Sequence, residues 1–475
     1  MNKVDKAYFP LSNPILNFMI YRILKPLVTV SLQAYFKRIS VQGRRNLDHK
    51  HLLLVSNHPS AMFDPLLVAV TSKKQLHFIA GVEWFGSGLK KWLFTEHFNM
   101  IPVYRPWLKT GENQDNSDMF RACYDSLAAG HSIIIYPEAE SITVPWIREL
   151  KTGAARIKMG ADVHFQEQGI EEDVKVVPIG LNYSNPHRFQ SGLLINVGEP
   201  IDFSGIDRSG DPKEVARAMT DRIKSGMQDQ VLHIEEEGQY PLIKATMKLL
   251  TDAVMAELGL EKEDHSLAFA VKKEIIRRVE QLKKEDPTSI ASLEERIMAY
   301  VDRFEALGFR RFNPFDAKGH VKLLLVVGAV IGAPFFALSM VINGLPFIAA
   351  RAAFMKLLLS KVTKAHKQGE INPAFAGSLA FSTGLVIFLL WYIGLAILSS
   401  WVMPWWLGWP VSWVIGYQSG RFALIYVKWL GRLRRLKQWK AFQGENRDEA
   451  DALLQERSEL LKLLMRIYKG QEKVS

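Results

Sequence analysis

The sequence predicts an α/β domain with a mixed, largely parallel sheet flanked by helices, followed by a helical module and C-terminal transmembrane helices. Three observations predict it. Through residues 39–210, short apolar runs bounded by turn chemistry alternate with helix-like segments. Residues 211–318 are highly charged with apolar residues at helical spacing. Within residues 319–430, two long stretches carry no Asp, Glu, Lys or Arg.

The strands come first. Leu52–Val55, Ser132–Tyr136 and Lys175–Ile179 are apolar runs of the length buried strands have. Between them Met119–Ala129 reads as a helix stopped by Gly130. In the charged module Ile275, Ile276, Val279 and Leu282 share one helix face. Asp286-Pro287 reads as an N-cap followed by Pro at the first helical position.

The uncharged stretches are Leu323–Ala350, 28 residues, and Ile371–Gly420, 50 residues. A bilayer core takes about 20 apolar residues per helix. The first stretch fits one span, with Pro334 inside it, and the second fits two short spans turning near Pro404–Pro410. Trp405, Trp406 and Trp409 suit such a turn at an interface. A buried soluble hairpin is the alternative, and uncharged runs of this length argue against it.

Residues 1–38 read as a membrane-surface amphipathic segment, because Ile15–Leu32 is interrupted by Arg22, Lys25 and Pro26. A core helix is equally compatible. Residues 431–475 form an amphipathic tail, with Leu453, Leu460 and Leu464 on or near one face. Basic residues lie after the first apolar stretch (Arg351, Lys356, Lys361, Lys364, Lys367) and after the second (Arg421, Lys428, Arg432, Arg434, Arg435). Basic flanks prefer the cytoplasm. Both can lie there if the second stretch is a two-pass hairpin and the first returns to its own side; three full spans leave one flank outside. The expectation is an integral membrane protein with its working face towards the cytoplasm.

Composition narrows the partners. At 48% hydrophobic and 23% charged the chain is not disordered. A net charge of +11 favours anionic partners. Without zinc-finger spacing, an RNA-binding aromatic motif or a Walker loop, nucleic acid is not expected. Cys123 is the sole cysteine, so no intrachain disulfide forms. No metal is expected, since His58, His77, His97 and His131 lack ligand-like spacing.

Chemistry concentrates after the first strand, in Ser56-Asn57-His58-Pro59-Ser60-Ala61-Met62-Phe63-Asp64-Pro65. A carboxylate beside an imidazole fixes its tautomer and supports its protonated form. The second ring nitrogen can then take a proton from an alcohol. Acyl transfer from a thioester needs little more than such a base and donors for the tetrahedral oxyanion. A turn histidine and a helix-capping aspartate are the plainer reading of these two residues alone.

Three further segments add weight. Met100-Ile101-Pro102-Val103-Tyr104-Arg105, Tyr136-Pro137-Glu138-Ala139-Glu140-Ser141 and Val177-Pro178-Ile179-Gly180-Leu181-Asn182-Tyr183 follow in order. With Asn57-His58 through Asp64 they resemble the four blocks of the glycerophosphate acyltransferase family, over roughly residues 40–200. Lys151-Thr152-Gly153-Ala154-Ala155-Arg156 resembles the helix that follows the family's third block. Five residues separate His58 from Asp64, where most of the family has four. That spacing, with Pro65 next, is similar to a branch resembling eukaryotic glycerol-3-phosphate/dihydroxyacetone-phosphate acyltransferases. The third block has Ala139 where the family usually has Gly.

The resemblance implies a membrane-bound O-acyltransferase. Its donor would be acyl-CoA or acyl-carrier protein, its acceptor glycerol-3-phosphate or dihydroxyacetone phosphate, its other partner membrane lipid, and it would need no cofactor. His58 would be the general base and Asp64 its orienting partner. Arg105 would hold the acceptor phosphate, as a guanidinium fork suits. Glu138, Ser141 and Lys151 would contact substrate; a structural carboxylate, a turn serine and a solvated lysine are their alternatives. Pro178 would be structural. The rival functions are a lysophosphatidate acyltransferase, an acyltransferase for another lipid acceptor, and an inactive membrane scaffold.

Overall fold

The run Leu52–Ser56 (β2) is buried at every position, as a strand inside a parallel sheet must be when both faces are covered. It lies within a seven-stranded sheet of order β1-β7-β6-β2-β5-β3-β4. The other strands are β1 (Arg38–Gln42), β3 (Leu76–Gly81), β4 (Met100–Val103), β5 (Ser132–Ile135), β6 (Lys175–Tyr183) and β7 (Gly192–Val197). Every neighbouring pair is parallel except β6 with β7. The sheet is therefore mixed and mostly parallel, as the sequence predicts.

The computed structural model describes residues 14–82, 85, 88, 98–104, 116–261, 264–308, 319–357 and 374–471. They divide into two compact units. The first runs to His233 and takes in Asn372–Ser378; the second comprises Ile234–Ile371 and Leu379–Ser475.

In the first unit the connections are helices α1 (Pro14–Tyr35), α2 (Phe63–Thr71), α3 (Ser117–Ala128), α4 (Gly153–Glu167) and α5 (Pro212–Gln230). Leu53, Val55, Ile133 and Val176 meet α3, α4 and α5 in one buried cluster, through Cys123, Ile157 and Met219 among others. The α/β unit therefore continues past residue 210, because α5 buries Val215, Ala216, Met219, Ile223 and Met227. A second apolar group joins the end of α1 to α2: Phe63 lies 4.8 Å from Tyr35 and 5.1 Å from Phe36, ring centre to ring centre. The C-terminal end of α1 is thus a core segment, while Ile23 and Val30 on the same helix are exposed. Lys25, one of the residues that interrupt the apolar stretch, donates to the Ser72 carbonyl.

Connectivity places the site. From β2 the chain crosses past β5 to reach β3, and from β5 it crosses past β2 to reach β6. Neighbouring strands whose connections leave in opposite directions open a crevice at their carboxyl ends. The β2 end leads into Asn57-His58, and the β5 end leads into Tyr136-Pro137-Glu138.

The second unit contains α6 (Tyr240–Glu257), α7 (His265–Glu285), α8 (Pro287–Ala306) and α12 (Arg447–Lys469). Asp264 and Asp286 cap α7 and α8 through their side chains. Leu453, Leu460 and Leu464 are buried along one face of α12. The same unit holds the apolar helices α9 (Gly319–Leu357), most of α10 (Ala374–Ser399) and α11 (Trp405–Glu445). Among the described residues, Leu323–Leu357 and Ala374–Ser399 are long and apolar enough to cross a membrane. The second uncharged stretch breaks at Ser400–Pro404, and Trp405, Trp406 and Trp409 lie in the opening turns of α11. Polar groups tie these helices together. Asn343 Oδ1 accepts from the Tyr392 hydroxyl at 2.8 Å, and Ser339 Oγ donates to the Ser419 carbonyl at 2.7 Å, as polar side chains do between helices in lipid.

Candidate active site

Asn57 is the first residue past β2, and its side chain clamps the neighbouring strand. Its Nδ2 donates to the Leu181 carbonyl at 3.1 Å, and its Oδ1 accepts from Leu181 N at 2.8 Å. The backbone then turns tightly. Phe63 N donates to Ser60 O at 3.0 Å, and Ala61 holds a left-handed φ of 42°. This turn brings together two residues that no ideal helix would place on one face. His58 Nδ1 lies 2.8 Å from Asp64 Oδ2.

Asp64 is 0% exposed, and a buried carboxylate is tolerated when donors surround it. Ser60 N donates to Oδ2 at 2.8 Å, and the Tyr183 hydroxyl donates to Oδ1 at 2.6 Å. Burial, and then the Asp64 charge and hydrogen bond, push the Tyr183 phenol well above its usual range. Tyr183 therefore remains a neutral donor. With Nδ1 turned to Asp64, the hydrogen-bond network assigns its proton there and leaves Nε2 as the basic nitrogen. The His58 side chain is 19% exposed.

The loop from β5 to α4 packs over this turn. Tyr136 stacks on the His58 imidazole, with centroids 4.1 Å apart and planes 20° from parallel. Ile142 N donates to His58 O at 3.2 Å, and Thr143 Oγ1 donates to Pro59 O at 2.7 Å. Ser141 is buried, and its Oγ accepts from Ala61 N at 2.7 Å. This hydrogen bond makes Ser141 part of the scaffold of the dyad turn.

Glu138 is buried beside the dyad. Its Oε2 accepts from Arg148 Nε at 2.9 Å, while Oε1 has no hydrogen-bond partner among the described residues. Burial pushes its carboxyl up to about 7, against the pull of Arg148 and with a further push from Asp64. Arg148 also donates to the Glu140 carbonyl. Ala139 sits at φ 65°, a left-handed conformation that glycine adopts at no steric cost.

Lys151 is exposed just before α4, its N–H donating to Pro137 O at 2.9 Å. Arg156 lies over the Phe120 ring at 4.4 Å. Arg105 lies outside the described residues. Among the described residues no group of three or more His, Cys, Asp or Glu could hold a metal ion. The structure thus joins His58, Asp64, Glu138 and Ser141, and it leaves Lys151 exposed. Sequence reading gave no role to Asn57, Tyr136, Arg148 or Tyr183. The signal was available in part, since a buried aspartate requires donors and the fourth block ends in a tyrosine.

The Acyltransferase family model matches residues 38–182. Over 191 residues the chain is 25% identical to Glycerol-3-phosphate O-acyltransferase 1 of Saccharomyces cerevisiae, covering 39% of this chain and 24% of that protein. It is 32% identical over 97 residues to Glycerol-3-phosphate O-acyltransferase 2 of the same yeast, covering 20% and 12%. The chain therefore matches about a quarter or less of the length of these yeast relatives. Among solved structures, the 1-acyl-sn-glycerophosphate (LPA) acyltransferase of Thermotoga maritima is similar at 16% identity and a TM-score of 0.33, covering 47% of this chain and 84% of that one. The family match spans the dyad, the β5–α4 loop and β6 almost to its end, and so residues 38–182 are an acyltransferase domain.

Proposed function

We propose that this chain transfers a fatty acyl group from acyl-CoA or acyl-carrier protein to a hydroxyl of glycerol-3-phosphate or dihydroxyacetone phosphate. The observation that carries the reading is the His58–Asp64 contact of 2.8 Å just past the carboxyl end of β2, beside β5. Asp64 holds Nδ1–H, so Nε2 takes the proton of the acceptor hydroxyl as its oxygen attacks the thioester carbonyl. The tetrahedral intermediate collapses with cleavage of the C–S bond. The departing thiolate takes the proton back from His58, leaving ester, thiol and a neutral imidazole. The residues themselves supply this chemistry, and the thioester is a co-substrate.

Arg105, by its place in the second block, is the proposed ligand of the acceptor phosphate, with Lys151 adding positive potential. Glu138 is proposed to contact the acceptor hydroxyls or to order the basic site through its hydrogen bond with Arg148. Ser141 contributes by holding the turn at Ala61. The apolar helices would anchor the chain where acyl chains partition, with the basic flanks and the site on the cytoplasmic side. The matches to two yeast glycerol-3-phosphate acyltransferases support this acceptor class.

An acceptor panel tests the proposal. Purified protein is given one radiolabelled thioester with glycerol-3-phosphate, dihydroxyacetone phosphate or lysophosphatidate. Labelled monoacyl product from either of the first two supports the reading. Product from lysophosphatidate alone would replace it with the lysophosphatidate acyltransferase alternative.

A further inference from the structure

We infer that Tyr136 is a positioning residue for His58, and that its ring rather than its hydroxyl does this work. The inference rests on His58 acting as the base. Two contacts fix the imidazole in independent directions. The Asp64 hydrogen bond at 2.8 Å sets rotation within the ring plane. The Tyr136 ring, 4.1 Å away and 20° from parallel, covers one face and opposes tilting.

Tyr136 is itself well held. It follows β5 directly, where Ile135 pairs with Val55 of β2. Its carbonyl accepts from Ala139 N at 3.0 Å, closing the turn that begins the loop. Its hydroxyl is buried without a hydrogen-bond partner among the described residues. An orphaned buried hydroxyl opposes burial, so the ring accounts for the side chain's place.

The proton transfer gives this stack a second consequence. When Nε2 accepts a proton, the imidazolium lies against the negative face of an aromatic ring, which favours the cation. The other groups around the dyad are Asp64 from α2, Tyr183 acting through Asp64 from β6, and Glu138 with Arg148 from the β5–α4 loop. A leucine at position 136 would remove the π face and leave all of these in place.

The experiment compares Tyr136→Phe and Tyr136→Leu in the full chain, measuring acceptor-dependent thiol release from a long-chain acyl-CoA across pH. The Phe variant is expected to stay within about twofold of the parent in kcat and to keep its pH profile. The Leu variant is expected to lose about tenfold in kcat with little change in either KM. Its acidic limb should move down by about 0.5–1 pH unit, because loss of the stack makes the imidazolium easier to deprotonate. If the Leu variant melts at the assay temperature, Tyr136→Met carries the same readings. A Phe variant as slow as the Leu variant, or a Leu or Met variant with the parent's kcat and pH profile, would overturn the inference. A parent protein that releases thiol with no acceptor defeats the proposed function instead, which keeps the two failures apart.

Discussion

The Tyr183 hydroxyl meets Asp64 Oδ1 at 2.6 Å, so the far end of β6 fixes the partner of a histidine that follows β2. The two strands pair in parallel, Ser56 opposite Ile179, and Asn57 ties the same two segments through Leu181. Sheet register therefore sets the dyad. Tyr183→Phe should lower kcat by about tenfold at unchanged KM and reduce stability by about 1–3 kcal/mol, the cost of leaving a buried acceptor unpaired. Steady-state kinetics and a melt in detergent check this. A variant with the parent's kcat would assign the orientation of Asp64 to Ser60 N–H alone.

Ala139 gives a prediction of opposite sign. Its φ of 65° costs an L-residue about 1–2 kcal/mol, against which glycine's greater unfolded-state freedom costs back part. Ala139→Gly should therefore stabilise the domain by up to about 1 kcal/mol. Turnover should stay near the parent's, because Glu138 is held by Arg148 rather than by this side chain. A lower melting temperature for the Gly variant would contradict the strain argument.

Glu138 predicts a pH dependence. Burial raises its folded carboxyl to about 7, from the ordinary 4.5. The folded state then binds more protons than the unfolded state between those values, so this group's stabilising contribution is full below about 4.5. It is lost as pH rises through about 7, and the whole effect is at most on the order of 3 kcal/mol. Glu138→Gln should remove that slope. Melting temperatures of the parent and variant from pH 4.5 to 8 are the check, and parallel curves would contradict the assignment.

Gly180, in the fourth block, packs against the end of α5. A Cβ there would lie 1.9 Å from the Gln230 carbonyl oxygen. Gly180→Ala should push α5 away from β6 and cost about 1–3 kcal/mol, visible as a lower melting temperature. An unchanged melt would mean that α5 moves freely on the sheet.

Much of this was legible in the sequence because it depends on local pattern. Leu52–Val55, Ser132–Tyr136 and Lys175–Ile179 read as strands since both faces of the sheet are covered there. The strands β1, β3, β4 and β7 escaped, being either half-exposed or close to the sheet edge, where apolar continuity fades. Residues 1–38 read equally as a membrane-surface segment, interrupted by Arg22, Lys25 and Pro26, or as a core helix, and burial of Leu32, Tyr35 and Phe36 gives the end of the helix the second character. The module boundary at residue 211 followed a change in charge, whereas α5 shows its charged face to water and its apolar face to the sheet. In the site, His58 and Asp64 were legible as a motif. Tyr136, Arg148 and Tyr183 act through contacts made across 78, 10 and 119 positions of chain, and only the fold supplies such pairings.

The most direct test is turnover by His58→Ala. The full chain and the variant are given long-chain acyl-CoA with glycerol-3-phosphate, acceptor-dependent thiol release is followed, and circular dichroism is recorded on the same samples. The account predicts a loss of at least about 10²–10⁴-fold in kcat with the spectrum and melting temperature retained. A folded His58→Ala protein that turns over at the parent's rate would contradict it.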